Sequence, residues 1–169
     1  SNTNFTPTAE MLKTDWSSSI EMERSWKSAL VRIPVSVGKS IASTVDEMEK
    51  KLSEKVKKFP TVIFLHGCYG VHPGTYHRIK FLADHGFLTI APVSFARLKY
   101  PKSCDIYTYQ SGLYRGTIKI REFDAKYAIT KLKKLNFVDT ENIILMGHSE
   151  GGITTAVLKL NEETQKLKA

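Results

Sequence analysis

Residues 143–155 read IILMGHSEGGITT: an apolar run, a serine with a glycine two positions to either side, and then a segment of helical composition. That order decides the fold. A continuous apolar, β-branched-rich run predicts a strand buried on both faces of a parallel sheet, and the residues after Ser149 predict a helix. Gly147-His148-Ser149-Glu150-Gly151 stands between them as a G-x-S-x-G turn. Where a strand passes so sharply into a helix, the serine backbone is strained and its hydroxyl is pushed out above the sheet edge. Gly147 and Gly151 let strand and helix pack without side-chain collision, and Gly152 allows a further close approach. A hydroxyl so placed is a candidate nucleophile.

Outward from this turn, residues 61–65 and 87–91 are two more runs of the same kind as 142–146. The spacing of Tyr76, Ile79, Leu82 and Ala83 predicts a helix between the first two, stopped by Gly86. Ala125, Ala128, Ile129, Leu132 and Leu135 predict another before the third. The helix after Ser149 is expected to bury Ile153, Ala156, Val157 and Leu160. Upstream, residues 29–37 alternate as a strand, and Pro34 argues for a position at or near a sheet edge. Thr44 and Glu47 have capping-box spacing ahead of Val45, Met48, Leu52, Val56 and Phe59, which predicts a surface helix. A strand-helix order repeated in this way implies an α/β fold with right-handed crossovers and helices on both faces of a mostly parallel sheet. Sites in such sheets lie at the carboxyl ends of the strands.

The remaining composition narrows the possibilities. With 169 residues the chain is expected to form a single domain, with residues 1–28 as an N-terminal extension and 29–169 as the core. The formal charge of +8 is scattered along segments such as EMEKKLSEKVKK, as on solvated helix faces, and no nucleic-acid-binding module accompanies it. The apolar runs are too short to span a bilayer. Neither a metal-ligand spacing nor a cofactor motif is present, so no cofactor is expected. Cys68 and Cys104 are two free thiols in a cytoplasmic protein or one bridge in an exported one, and the sequence leaves both open. The stretch 94–116, rich in Tyr, Lys and Pro, is the longest irregular part.

VIFLHGCYG, residues 62–70, follows the neighbouring central strand. When a nucleophile adds to an ester carbonyl, charge builds on oxygen, and preorganised backbone N–H groups receive it. The expected pair is the N–H of Cys68, with Tyr69 as its substitute, and the N–H of Glu150. Gly67 is a glycine of this loop.

Taken together, HGCYG at 66–70, YHRIKFLADHGF at 76–87, PVSFARLKYPKSC at 92–104, REFDAKYAITKLKKL at 121–135 and VDTENIILMGHSEGG at 138–152 resemble the α/β-hydrolase superfamily. Within it they are similar to the dienelactone-hydrolase-like proteins. The resemblance covers about residues 60–160. It implies hydrolysis of a small-molecule ester, lactone or related acyl bond through an acyl-enzyme, with Ser149 where dienelactone hydrolase itself carries Cys. The superfamily order is Ser, then acid, then His. Residues 150–169 read as one helix, so the chain is expected to be truncated after the nucleophile helix, without its acid and base. His66 and His148 are read as structural or substrate-side residues, with His72, His77 and His85 as weaker candidates for a base. Glu150 contacts substrate or caps the helix. The preferred expectation is the N-terminal portion of a larger hydrolase; completion by another chain, or a catalytically inactive interaction module, are the alternatives. The exposed sheet edge is then expected to pack against a missing C-terminal segment or an oligomeric partner.

Overall fold

The computed structural model describes residues 12–101, 103–105, 110–111, 115–158 and 167–168. Two short helices, α1 (Lys13–Trp16) and α2 (Ser19–Lys27), precede the hairpin of β1 (Leu30–Ser36) and β2 (Lys39–Ser43). Then follow α3 (Val45–Leu52), β3 (Phe59–Leu65), α4 (Pro73–Asp84) and β4 (Leu88–Ala91). A 3-10 turn (Ser94–Ala96) leads to a separate ribbon of β5 (Cys104–Asp105) and β6 (Gln110–Ser111). The chain continues through α5 (Arg115–Lys133), β7 (Val138–Gly147), α6 (Glu150–Val157) and β8 (Leu167–Lys168). The main sheet has the order β2-β1-β4-β3-β7-β8. Its β4-β3-β7-β8 part is parallel, and β1 joins it antiparallel.

Strand alternation distributes the core between two faces. Ile63 and Leu65 of β3, Val31 and Ile33 of β1, Leu88 and Ile90 of β4, and Ile143 and Leu145 of β7 point to one side. There they meet Trp26 of α2, Met48 and Leu52 of α3, and Ala125, Ala128, Ile129 and Leu132 of α5. Phe64 and Ala91 point to the other side, against Ile79 and Leu82 of α4. The all-buried run from Thr61 to Leu65 is therefore the signature of a strand covered on both faces.

Pro34 is tolerated because β4 pairs with β1 only at Leu30, Val31 and Arg32, and the β1-β2 register slips between Pro34 and Ser36. The hairpin partner β2 was not expected. Its sequence KSIAS is short and largely solvent-facing, so it carries little apolar periodicity. Gly38, at φ 75°, makes the turn that folds it back.

Several expectations are corrected. Helix α3 ends at Leu52; Val56 is exposed and Phe59 opens β3, so their helical spacing was coincidental. Val45, Met48 and Leu52 do line its buried face. Tyr76 faces solvent, while Ile79 and Ala83 hold α4 to the sheet. In α6 the buried positions are Glu150, Gly151 and Thr154, whereas Ile153, Ala156 and Val157 are exposed. Leu160 lies outside the described residues. The final residues are not one helix: α6 stops at Val157, and β8 pairs in parallel with Ile143 and Ile144 of β7. At Ile143 and Ile144, β7 is therefore not the bare edge that was expected.

Candidate active site

Leu65 and Gly147 are register partners, so β3 and β7 end at the same level and their following loops leave side by side. The β7 exit is the sharp turn. Ser149 has φ 55° and ψ −118°, the only positive φ of a non-glycine among the described residues. Such a backbone costs of order 1 to 3 kcal/mol and persists only where its surroundings enforce it. Here the enforcement is close packing. A Cβ on Gly147 would lie 2.3 Å from the Gly151 carbonyl carbon, and one on Gly151 would lie 2.1 Å from the Leu65 carbonyl oxygen. The His148 amide donates to Leu65 O at 3.1 Å and the Gly151 amide to His148 O at 3.0 Å, fixing the bend from both ends. Gly152 is less crowded, at 3.3 Å from Gly147 O.

The β3 exit lies directly against this turn. A Cβ on Gly67 would meet His148 Nδ1 at 3.3 Å and Ser149 Cβ at 3.6 Å. The loop closes on itself through the Gly70 amide to Gly67 O at 3.0 Å, with Gly70 at φ 80° over the Phe95 ring. The N–H groups of Cys68 and Tyr69 donate to no acceptor among the described residues. Glu150 is the first helical residue of α6, so its amide has no intrahelical acceptor either. Ser149 is exposed, and its hydroxyl has no hydrogen-bond partner among the described residues. A strained, solvent-facing hydroxyl thus sits beside two chain segments with unused amide donors. That arrangement suits attack on a carbonyl and capture of the oxyanion.

His66 is wholly buried. Its Nε2 accepts the Ser94 amide at 3.2 Å and its Nδ1 lies 2.8 Å from Gly67 O, which fixes a neutral ring protonated at Nδ1. Burial, reinforced by the Arg121 guanidinium, pushes its pKa well below the ordinary histidine value. Both nitrogens are occupied, Nε2 in tying the β3 exit to the 3-10 turn and Nδ1 in holding the loop's own backbone. His148 is exposed, its pKa lowered by partial burial and by Arg78 and His72, and its ring stands 6.3 Å from that of His72. His72 caps α4 through Nδ1, which accepts the Gly74 amide at 3.0 Å. His77 lies on α4, and His85 contacts Phe81 O at 2.7 Å at the far end of that helix.

The Glu150 side chain neither caps α6 nor faces the open side. It is 3% exposed and pairs with Arg121, whose Nη1 lies 2.9 Å from Oε1, while Ser103 Oγ donates to Oε2 at 2.5 Å. The other Arg121 nitrogen donates to His66 O. A second buried pair joins Arg97 to Asp124 at 2.7 Å, with Ser94 Oγ donating to the same carboxylate. Arg97 also donates to the carbonyls of Asp15 and Trp16, which ties the N-terminal helices to this end of the sheet. Sequence reading missed both pairs. A signal was present: Arg121 and Asp124 share the α5 face of Ala125 and Ala128, and charges on a buried stripe need partners.

Cys68 and Cys104 are joined as a disulfide, which ties the β3 loop to the β5 strand. Among the described residues no cluster of three or more His, Cys, Asp or Glu is grouped to hold a metal, and no helix is long and apolar enough to cross a membrane.

A family model described as Chlorophyllase matches residues 32–169, from β1 to the end of the chain. The chain belongs to the chlorophyllase family. This is a hydrolase family of the α/β-hydrolase type, in accord with the mixed, mostly parallel sheet flanked by helices. No curated protein and no solved structure matches the chain. Chlorophyllase membership leaves the narrower dienelactone-hydrolase-like likeness resting on the sequence motifs alone.

Proposed function

We propose that this chlorophyllase-family chain carries the nucleophile and oxyanion pocket of a serine ester hydrolase. Ser149 Oγ forms a bond to the carbonyl carbon, and the N–H groups of Glu150 and of Cys68, or Tyr69 in its place, receive the oxyanion. The alcohol leaves with the serine proton; water then attacks the acyl-enzyme, and the carboxylic acid departs. The observation carrying this reading is the positive φ of Ser149 at a turn packed against the 66–70 loop. The helix dipole of α6 adds positive potential to the same spot.

A serine at neutral pH needs a base. His66 is unsuited, since both its nitrogens are engaged and its protonation is suppressed. The base and its acid are therefore proposed to come from outside the described residues, on the same polypeptide or on a partner chain. The substrate class is an ester or lactone: the family name points to chlorophyll, and the sequence motifs to lactones of the dienelactone hydrolase kind. The Cys68–Cys104 bridge supports work in an oxidising compartment.

A second reading, a catalytically silent interaction module, draws on the exposed apolar side chains of Met146, Ile153 and Val157 on β7 and α6. Hydrolysis of p-nitrophenyl butyrate by the full gene product separates the two. Ser149→Ala is expected to lower kcat by a factor of about 10³ or more with the fold intact. Turnover equal to wild type in that variant, or none in the wild type, favours the module.

A further inference from the structure

Two features that the hydrolytic reading leaves idle lie directly behind the pocket: the Arg121 guanidinium and the Cys68–Cys104 bridge. Arg121 is 1% exposed. One arm of its fork holds the Glu150 carboxylate and the other holds His66 O. Glu150 supplies one proposed amide donor, and His66 opens the loop that supplies the other. A single planar group thus spans the two chain segments whose spacing the oxyanion would sense.

A second tie runs around the other side. Glu150 Oε2 accepts from Ser103 Oγ at 2.5 Å, Ser103 precedes Cys104, and Cys104 is bonded to Cys68. The links Arg121, Glu150, Ser103, Cys104, Cys68 and the 66–68 backbone close a ring about the pocket. A buried ion pair gives little net stability over apolar packing, whereas a rigid two-armed donor fixes register.

We infer that Arg121 is a positioning residue for the oxyanion pocket and that the Cys68–Cys104 bridge completes the same brace, so that turnover depends on both. The inference rests on the hydrolytic reading above. Lysine at 121 keeps the charge but replaces the two-armed planar fork with a single nitrogen, which does not hold both acceptors at the arginine's spacing, so it loosens the pocket. Reduction by a dithiol passes two electrons and two protons to the bridge, breaks the S–S bond, leaves two thiols and converts the dithiol to its disulfide. The 66–70 loop is then held from one side only.

The test measures kcat and KM for p-nitrophenyl butyrate on the full gene product, with active sites counted by fluorophosphonate titration. Arg121→Lys and Arg121→Met are expected to lower kcat per titrated site by about ten- to a hundredfold, as displaced catalytic groups do. KM should stay within about twofold, because the lost interaction belongs to the transition state. Ser103→Ala and the dithiol-reduced wild type leave the buried charge pair in place, and both should lower kcat per site in the same sense, with reoxidation restoring the wild type. A merely structural role lowers the number of titrated sites or the melting temperature without touching kcat per site. Unchanged kcat per site in Arg121→Lys, Ser103→Ala or the reduced enzyme overturns the inference while leaving the hydrolytic reading standing. Absence of any titratable site in the oxidised wild type removes that reading, and the inference falls with it.

Discussion

At Ser149 the backbone is held where an L-residue is strained, at φ 55°, and the strain is set by neighbours rather than by the serine itself. Glycine relaxes that conformation at no steric cost. Ser149→Gly is therefore expected to raise stability by about 1 kcal/mol in urea denaturation while abolishing hydrolysis, since left-handed backbone costs an L-residue roughly that much. An equal or lower denaturation midpoint would mean that the turn is not strained. Glu150 shows the opposite kind of constraint: its side chain is committed to Arg121 and Ser103, which leaves only its backbone amide for the pocket.

At the scale of elements, what was legible followed from local chemistry. The apolar, β-branched runs at 61–65, 87–91 and 142–146 announce the strands observed at 59–65, 88–91 and 138–147, and α4 ends where Gly86, at φ 97°, allows the chain to reverse. The capping pair was legible for the same reason: Thr44 Oγ1 accepts the Glu47 amide at 3.2 Å at the start of α3. Thr44→Ala is expected to cost about 1 kcal/mol, read as a lower thermal midpoint with hydrolysis unaffected. Non-local pairings escaped detection. Strand β8 exists only because β7 offers it an edge, and the partners Arg121 and Glu150 are brought together by the packing of α5 beneath the turn. The bridge was undecidable because spacing alone does not reveal redox environment. The exposed face of α6 was misread because Gly151 and Thr154, not its larger apolar residues, fit the narrow space above β3.

For the molecule as a whole, the buried neutral His66 makes stability depend on pH. Its folded pKa lies well below the unfolded value near 6.5, so the unfolded chain binds more protons and stability is lost as pH falls below about 6.5. The limiting slope is about 1.4 kcal/mol per pH unit for one such group. His148 acts in the same sense, whereas Asp124, whose pKa burial raises, acts in the opposite sense. Comparing urea midpoints of wild type and His66→Gln between pH 7 and 5 isolates the His66 share. The variant is expected to be less stable at pH 7 but flatter across the range, and parallel curves would assign the acid sensitivity elsewhere. The arrangement of β3 and β7 makes one claim above the others: a hydroxyl raised over the sheet is reactive because two loops meet around it. Treating the full gene product with a fluorophosphonate probe and mapping the adduct by peptide mass spectrometry tests it most directly. A single phosphonylated residue, Ser149, is expected, with labelling lost on heat denaturation; an unlabelled Ser149 in the folded protein, or a label on another residue, would rule out an activated hydroxyl at this turn.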